Sequence, residues 1–317
     1  IEWVKNKDGS QGRTWNPVTG CSKISAGCRN CYAERMAKRL RGRCGYPVNE
    51  PFRVTLHPAR LEKPLFWISK QTVFVSSMGD LFHPEVPDDY IHQVYDVMEA
   101  AKQHTFIVVT KRPERIVPVL YETGTRYMGG GDYLPNVWHL CTVENQEMAD
   151  KRIPELLRLR VHSAGWPVLG ISAEPMLGKI YLSGLHGGVY RPWLDYVAWP
   201  ENKGLLSWVI CGGESGPKAR PMHPDWARSL RDQCQEAGVP FFFKQWGRWQ
   251  PFYDRDIDDP DWRNIPDDEK TGICRLNLEG GCGFHGDRVV YFRSVGKKAA
   301  GRLLDGRTWD EMPEAET

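Results

Sequence analysis

Hydrophobic positions along the chain fall into short runs rich in β-branched and aromatic residues, each closing on a polar cluster. They are FRVTLHPAR (52–60), TVFVSSMGD (72–80), TFIVVTKRP (105–113), NVWHLCTVEN (136–145), PVLGISAEP (167–175), SWVICGGESG (207–216) and PFFFKQWG (240–247). Runs that are apolar at nearly every position predict strands covered on both faces, as in a parallel sheet. Between them lie stretches with apolar residues at helical spacing. Residues 86–104 place Ile91, Val94, Tyr95, Val97 and Met98 on one face, and residues 146–160 and 223–238 keep the same period. The last of these closes on Gly238, a normal helix stop.

Strands and helices alternate often enough to predict an α/β fold. The polar ends of successive strands supply His57, Asp80, Lys111, Glu144, Glu174 and Glu214. Polar residues on so many carboxyl ends favour a (β/α) barrel of TIM type, complete or partial. An open doubly wound sheet would gather them at one switch point. The expected organisation is a barrel domain over 1–247, with a cysteine loop at 20–32, and a C-terminal extension over 248–317. In the extension, residues 250–270 are acidic and Pro-rich and predict an excursion loop. ICRLNLEGGCGFHGDRVVYF predicts a hairpin, and SVGKKAAGRLLDGRTWDEMP one short helix.

Composition adds limits. With 317 residues, 41% hydrophobic and 26% charged, the chain has the make-up of an ordinary soluble globular protein. No apolar run approaches the roughly 18 residues of a membrane span, and IEWVKNKDGS lacks the apolar core of a signal peptide. Nine cysteines, an odd number, argue against a disulfide framework and for a reducing cytoplasm. A net charge of +2 neither demands nor excludes nucleic acid. Arg35, Lys38, Arg39, Arg41 and Arg43 form a local basic run, read either as a solvated helix face or as a phosphate-contacting patch.

Three of the cysteines carry the sharpest chemical signal. Cys21, Cys28 and Cys31 lie within GCSKISAGCRNCYAERM, and no fourth cysteine follows before Cys44. Three thiolates hold three irons of a 4Fe-4S cluster and leave the fourth iron open to a ligand. Zinc competes, but its structural sites prefer four closed ligands. Gly20, Ser22, Ser25 and Gly27 make the loop pliable, and a helix predicted over 33–41 turns its positive N-terminal end toward the thiolates.

Other groups admit two readings. Glu144, Glu174 and Glu214, with Asp80 and His57, suit a second divalent metal such as Mn²⁺ or Mg²⁺. They equally suit salt bridges to Lys111, Arg112, Lys218, Arg220 or Lys244. Cys141 and Cys211 lie near strand ends, where a thiol serves as hydrogen-atom donor; free cysteines also simply pack. Cys274, Cys282 and His285 resemble half a zinc site without a fourth ligand, so hairpin packing is favoured. GGESG lacks the G-x4-G-K-[ST] pattern of nucleotide hydrolysis. Trp15, Trp138, Trp208, Trp246 and Trp249 suit either stacking on a flipped-out base or barrel packing.

The cysteine loop resembles that of the radical SAM superfamily, with C-x6-C-x2-C in place of the usual C-x3-C-x2-C. TWNPVTGC, SSMGDLFHP, TKRPER, TVENQ, SAEPMLG, GGESGPKARPM and VGKKAAGRLLDG are similar to a family of phage and bacterial proteins known by its three-Cys motif. That likeness runs from about residue 14 to 247 and again over 294–306. CRNCYAE, FVSSMGD, VVTKR and LGISAEPM further resemble segments of spore photoproduct lyase, which splits a thymine dimer in DNA.

The resemblance implies a cluster held by Cys21, Cys28 and Cys31, with S-adenosylmethionine chelating its fourth iron and yielding a 5′-deoxyadenosyl radical on reduction. It implies Lys111 as a contact for the cofactor carboxylate, a pocket lined by Ser77, Asp80, Thr142 and Glu144, and Tyr32 beside the cluster. The expected function is a lyase reversing a pyrimidine dimer. Its partners are damaged DNA presenting a flipped-out base and an electron donor such as flavodoxin or ferredoxin. A radical SAM enzyme that modifies a phage nucleobase or nucleotide is one alternative. A zinc-stabilised nucleic-acid-binding protein without catalysis is another.

Overall fold

The computed structural model describes residues 4–6, 8–122, 134–162, 168–194, 205–254, 272–283 and 288–313. The main sheet uses β1 (Arg13–Trp15), β4 (Thr72–Val75), β5 (Thr105–Thr110), β6 (Val137–Thr142), β7 (Leu169–Ala173), β10 (Trp208–Gly212) and β11 (Phe241–Gln245), in the order β1-β4-β5-β6-β7-β10-β11. Pairing is parallel from β1 through β6 and between β10 and β11. β6, β7 and β10 are buried at every position, as their apolar runs require.

The fold is thus mixed α/β with a seven-stranded parallel sheet, which fits a partial barrel. Among the described residues a complete eight-stranded TIM barrel is not formed. One predicted strand does not join the sheet. The run at 52–60 contributes only β3 (Thr55–Leu56), paired antiparallel with β2 (Val18–Thr19), so His57 does not end a strand of the main sheet. The first position belongs to β1, three residues of which two are exposed, too short and polar to stand out as a run.

Chain contacts divide the molecule into two compact units. The first comprises residues 1–142, 151–171 and 313–317; the second comprises 143–150 and 172–312. Residues 172–247 group with the C-terminal segment in the second unit.

In the first unit, α1 (Tyr32–Arg39) follows the cysteine loop, and α2 (Asp88–Ala100) buries Tyr90, Ile91, Val94, Tyr95 and Met98. The period predicted that face except at its edges, where Tyr90 replaces Val97. The helices α3 (Gln146–Leu157) and α4 (Leu159–His162) break up the predicted 146–160 helix. In the second unit, α5 (Pro224–Glu236) ends before Gly238 at φ +65°.

The second unit also holds the hairpin β8 (Ser183–His186) and β9 (Val189–Pro192). The predicted C-terminal hairpin is β13 (Ile273–Asn277) against β14 (Val289–Ser294). β12 (Trp249–Asp254) pairs with the other side of β14, where a loop was expected. Pro251 marks β12 as an edge strand and obscured it in the sequence. Residues 255–271 of the expected loop, and His285, lie outside the described residues. The short helix α6 (Lys297–Ala300) completes the chain. No helix among the described residues is long and apolar enough to cross a membrane.

Candidate metal-cofactor site

In the first unit the cysteine loop is fastened to the end of β4 first by its backbone. The Gly20 amide donates to the Met78 carbonyl at 2.9 Å, and Gly20 bridges Gly79 in parallel. Gly20 has φ +86°, and a Cβ there would lie 2.0 Å from the Arg53 carbonyl oxygen. A Cβ on Gly79 would lie 2.8 Å from the Gly20 oxygen. Only glycine lets the loop lie this close to the strand end. Behind it, α1 packs Ala33 and Ala37 against Met78 and Tyr46, and Cys31 joins that cluster.

The three thiols are free and half-buried. Among the described residues, no group of three or more His, Cys, Asp or Glu side chains is gathered as a metal site requires, these cysteines included. Their donor chemistry nevertheless fits iron: three unoxidised thiols on one short loop, with cations beside them.

Arg112, 3% exposed, is the nearest of those cations. Its Nη1 lies 3.4 Å from Cys21 Sγ and 2.9 Å from Asp80 Oδ2, and its Nη2 donates to the Ser22 carbonyl and Oγ at 3.1 and 3.0 Å. Asp80 also accepts from Thr110 Oγ1 at 2.7 Å, and Ser22 Oγ meets His83 Nε2 at 2.7 Å. A buried ion pair thus joins the ends of β4 and β5 to the first cysteine.

The electrostatics distinguish the thiols. Burial, with the Asp80 charge, pushes Cys21 up to about 11, against the pull of Arg112. Burial also acts to raise Cys28. The Ile24 backbone, the Lys111 charge and Ser25 outweigh it and hold Cys28 below its ordinary value. The Lys111 charge is therefore felt at the cysteine loop. Tyr32 and Ser77 also meet, the phenol donating to the Ser77 carbonyl at 3.3 Å. Asn16 Oδ1 accepts from Ser77 Oγ at 3.2 Å and the Met78 amide at 2.9 Å. Asp80 is bound into the Arg112 pair. Thr142 is buried, with its carbonyl accepting from Arg152 at 2.7 Å.

The expected second metal set is otherwise engaged. His57 Nε2 meets Thr19 Oγ1 at 2.7 Å, and burial followed by Arg60 lowers its pKa to about 4. In the second unit, Glu174 accepts from Lys244 Nζ at 2.7 and 2.6 Å. Glu214 accepts from Arg220 Nη2 at 2.7 Å and Nε at 2.9 Å. These are the ion pairs of the alternative reading. Glu144 is fully buried. GGESG is glycine-rich for packing, since a Cβ on Gly213 would lie 2.0 Å from the Trp246 carbonyl oxygen.

Cys141 and Cys211, expected as hydrogen donors, are both fully buried. Burial pushes Cys141 up to about 12 and Cys211 higher still, and Cys211 Sγ lies 3.6 Å from Met176 Sδ. Both are packing thiols. Trp15, Trp138, Trp208 and Trp246 are likewise buried, so they fill the core and offer no wall for a base.

The Arg112–Asp80 ion pair is among the salt bridges the sequence allowed, but the contacts of Arg112 and Ser22 with the first cysteine and His83, and the part played by Asn16, were not read from it. TKR, GCS, FHP and TWN each stood in a recognised motif, but long-range pairing alone marks them.

Fold and site together define an α/β protein that seats a three-cysteine loop on the carboxyl ends of parallel strands. The chain belongs to the DUF5131 family, described as a protein of unknown function, whose profile matches residues 1–313. No curated protein and no solved structure matches it.

Proposed function

We propose that the chain is a radical SAM enzyme in which Cys21, Cys28 and Cys31 hold a 4Fe-4S cluster. The observation that carries this reading is the seating of the free-thiol loop on β4 by Gly20 and Gly79, with Arg112, just past the end of β5, reaching Cys21. A cluster of that kind, with S-adenosylmethionine, supplies a carbon radical able to take a hydrogen atom from a bound substrate. This chain's residues bind and orient. Lys111 would pair with the cofactor carboxylate, Ser77 would line the cofactor pocket and Tyr32 would stand beside the cluster, while Arg112 holds Cys21 in place. Asp80 acts through Arg112 as a positioning residue.

The finer reading is a cytoplasmic lyase that opens a pyrimidine dimer in DNA, reduced by a flavodoxin or ferredoxin. It rests on the lyase-like segments and the basic run after the loop. Anaerobic reconstitution tests the class. The expected result is a brown protein with about four irons and four sulfides that releases 5′-deoxyadenosine on reduction. One zinc and no iron overturns it. Dimer-containing oligonucleotide returned intact from the active enzyme overturns the substrate alone.

A further inference from the structure

Positive charge is segregated within the first unit. Ser22 to Arg53 carries eight Lys or Arg against two Glu, while the whole chain carries only +2. One of the two acids, Glu34, is taken up by Lys23 at 3.0 Å and Lys38 at 2.7 Å. Arg29, Arg39, Arg41, Arg43 and Arg53 are exposed, and among the described residues their guanidinium groups make no hydrogen bond or ion pair.

Other arginines of the unit are engaged. Arg13 lies over Trp67, Arg60 donates to the Asn16 and Cys44 carbonyls, and Arg115 pairs with Asp88. Helix-dipole complementarity accounts for Arg39 in the last turn of α1. It does not account for Arg29 before the helix, or for Arg41, Arg43 and Arg53 beyond it. An ordinary solvated face interleaves both signs, and unpaired like charges repel one another in the folded chain.

The partner must therefore be anionic and carry several charges, because the five arginines border the cysteine loop: Arg29 lies within it, Arg53 backs Gly20, and Arg39, Arg41 and Arg43 lie at the end of α1 and the turn after it. A guanidinium presents a planar fork that grips phosphate through two parallel hydrogen bonds. We propose that this face binds the phosphate backbone of double-stranded DNA and brings the duplex to the cysteine loop. The choice of DNA rests on the function proposed above; the charge segregation is independent of any cluster.

The test is fluorescence anisotropy of a labelled duplex of about 20 base pairs titrated with the full chain over a range of NaCl, with and without reconstituted iron. Each phosphate neutralised contributes about −0.9 to the slope of log K against log salt. Engagement of most of the five arginines gives a slope of about −4. Arg39→Gln with Arg41→Gln should bring it to about −2 and weaken binding evenly across sequences. Lys102→Gln, exposed after α2, should change neither.

A slope unmoved by the double variant overturns the proposal. So does preference for an RNA duplex of the same sequence, or for an acidic flavodoxin, over DNA. Arginine-dependent duplex binding by a protein that takes up no iron supports the surface and sinks the enzyme. A working cluster with arginine-insensitive binding does the reverse.

Discussion

Arg112 and Cys21 lie 91 positions apart in sequence, and Nη1 of the one stands 3.4 Å from Sγ of the other. The same nitrogen is ion-paired to Asp80, with both side chains under 8% exposed. The first cysteine is thereby tied to a charge pair that water does not screen.

Breaking that pair should be expensive, because the carboxylate left behind stays buried. Arg112→Met is expected to lower stability by about 3–5 kcal/mol, and Arg112→Lys by less, since it keeps the charge and loses the fork. Urea unfolding of the cluster-free protein measures both. A loss below about 1 kcal/mol for Arg112→Met would mean the pair is solvated.

The loop thiols should differ in reactivity for the same reason. Cys28 is held below its ordinary pKa and Cys21 is raised to about 11, so near pH 8 Cys28 carries far more thiolate. In cluster-free protein, iodoacetamide should label Cys28 well before Cys21, and Cys141 and Cys211 only on unfolding. Peptide mapping by mass spectrometry gives the order. Equal rates at Cys21 and Cys28 would contradict the charge arrangement.

Local pattern predicted the parallel strands, the faces of α2 and α5 and the helix after the loop, because each depends on neighbours in sequence. It missed β1 and β12, where a short edge strand needs no apolar run. The cysteines were legible as a set because they share one loop. Arg112 was legible only as a salt-bridge partner for the carboxylates; its hold on Cys21 was not, since that depends on Asp80 and Ser22, brought close by the pairing of β4 with β5. Thiols and tryptophans at strand ends were ambiguous for another reason: a strand pattern gives proximity to the sheet end, not burial.

Buried histidines should make the protein acid-sensitive. His57 and His139 both have pKa values lowered to about 4, chiefly by burial. Each stays neutral when folded but takes up a proton near pH 6.5 when unfolded. Stability is therefore full above about pH 6.5 and falls as pH drops toward 4, by roughly 3 kcal/mol per histidine at the lower limit. Tyr95 donates to or accepts from His139 at 2.7 Å, so His139→Gln keeps a polar partner there. Urea midpoints between pH 7.5 and 4.5 should decline less steeply in that variant; parallel curves would count against the assignment.

The pairing of Glu214 with Arg220 gives a test of the second-metal alternative. Glu214 is 6% exposed at its side chain, so Arg220→Met should cost about 2–3 kcal/mol. Adding Glu214→Gln should recover much of the loss, as removal of both charges relieves the burial penalty. Thermal unfolding of single and double variants, with and without Mn²⁺, separates the readings. A rise in wild-type Tm with Mn²⁺ that vanishes in Glu214→Gln would favour a metal ligand over an ion pair.

Two glycines with similar backbone angles should respond differently to the same methyl group. Gly9 has φ +80° and nothing within 4 Å of an added Cβ, so Gly9→Ala pays only for the left-handed backbone, about 1 kcal/mol. Gly20 has φ +86° and adds a contact of 2.0 Å to the Arg53 carbonyl oxygen, which is main chain and cannot swing away. Gly20→Ala must therefore lift the loop from β4, breaking the amide bond to Met78 as well. The expected cost is about 2–4 kcal/mol, with faster alkylation of Cys21 as its burial is lost. Urea unfolding and labelling kinetics measure the two effects on the same samples. Equal losses for Gly9→Ala and Gly20→Ala would mean that backbone angle alone governs the site and that the loop is not seated on the strand.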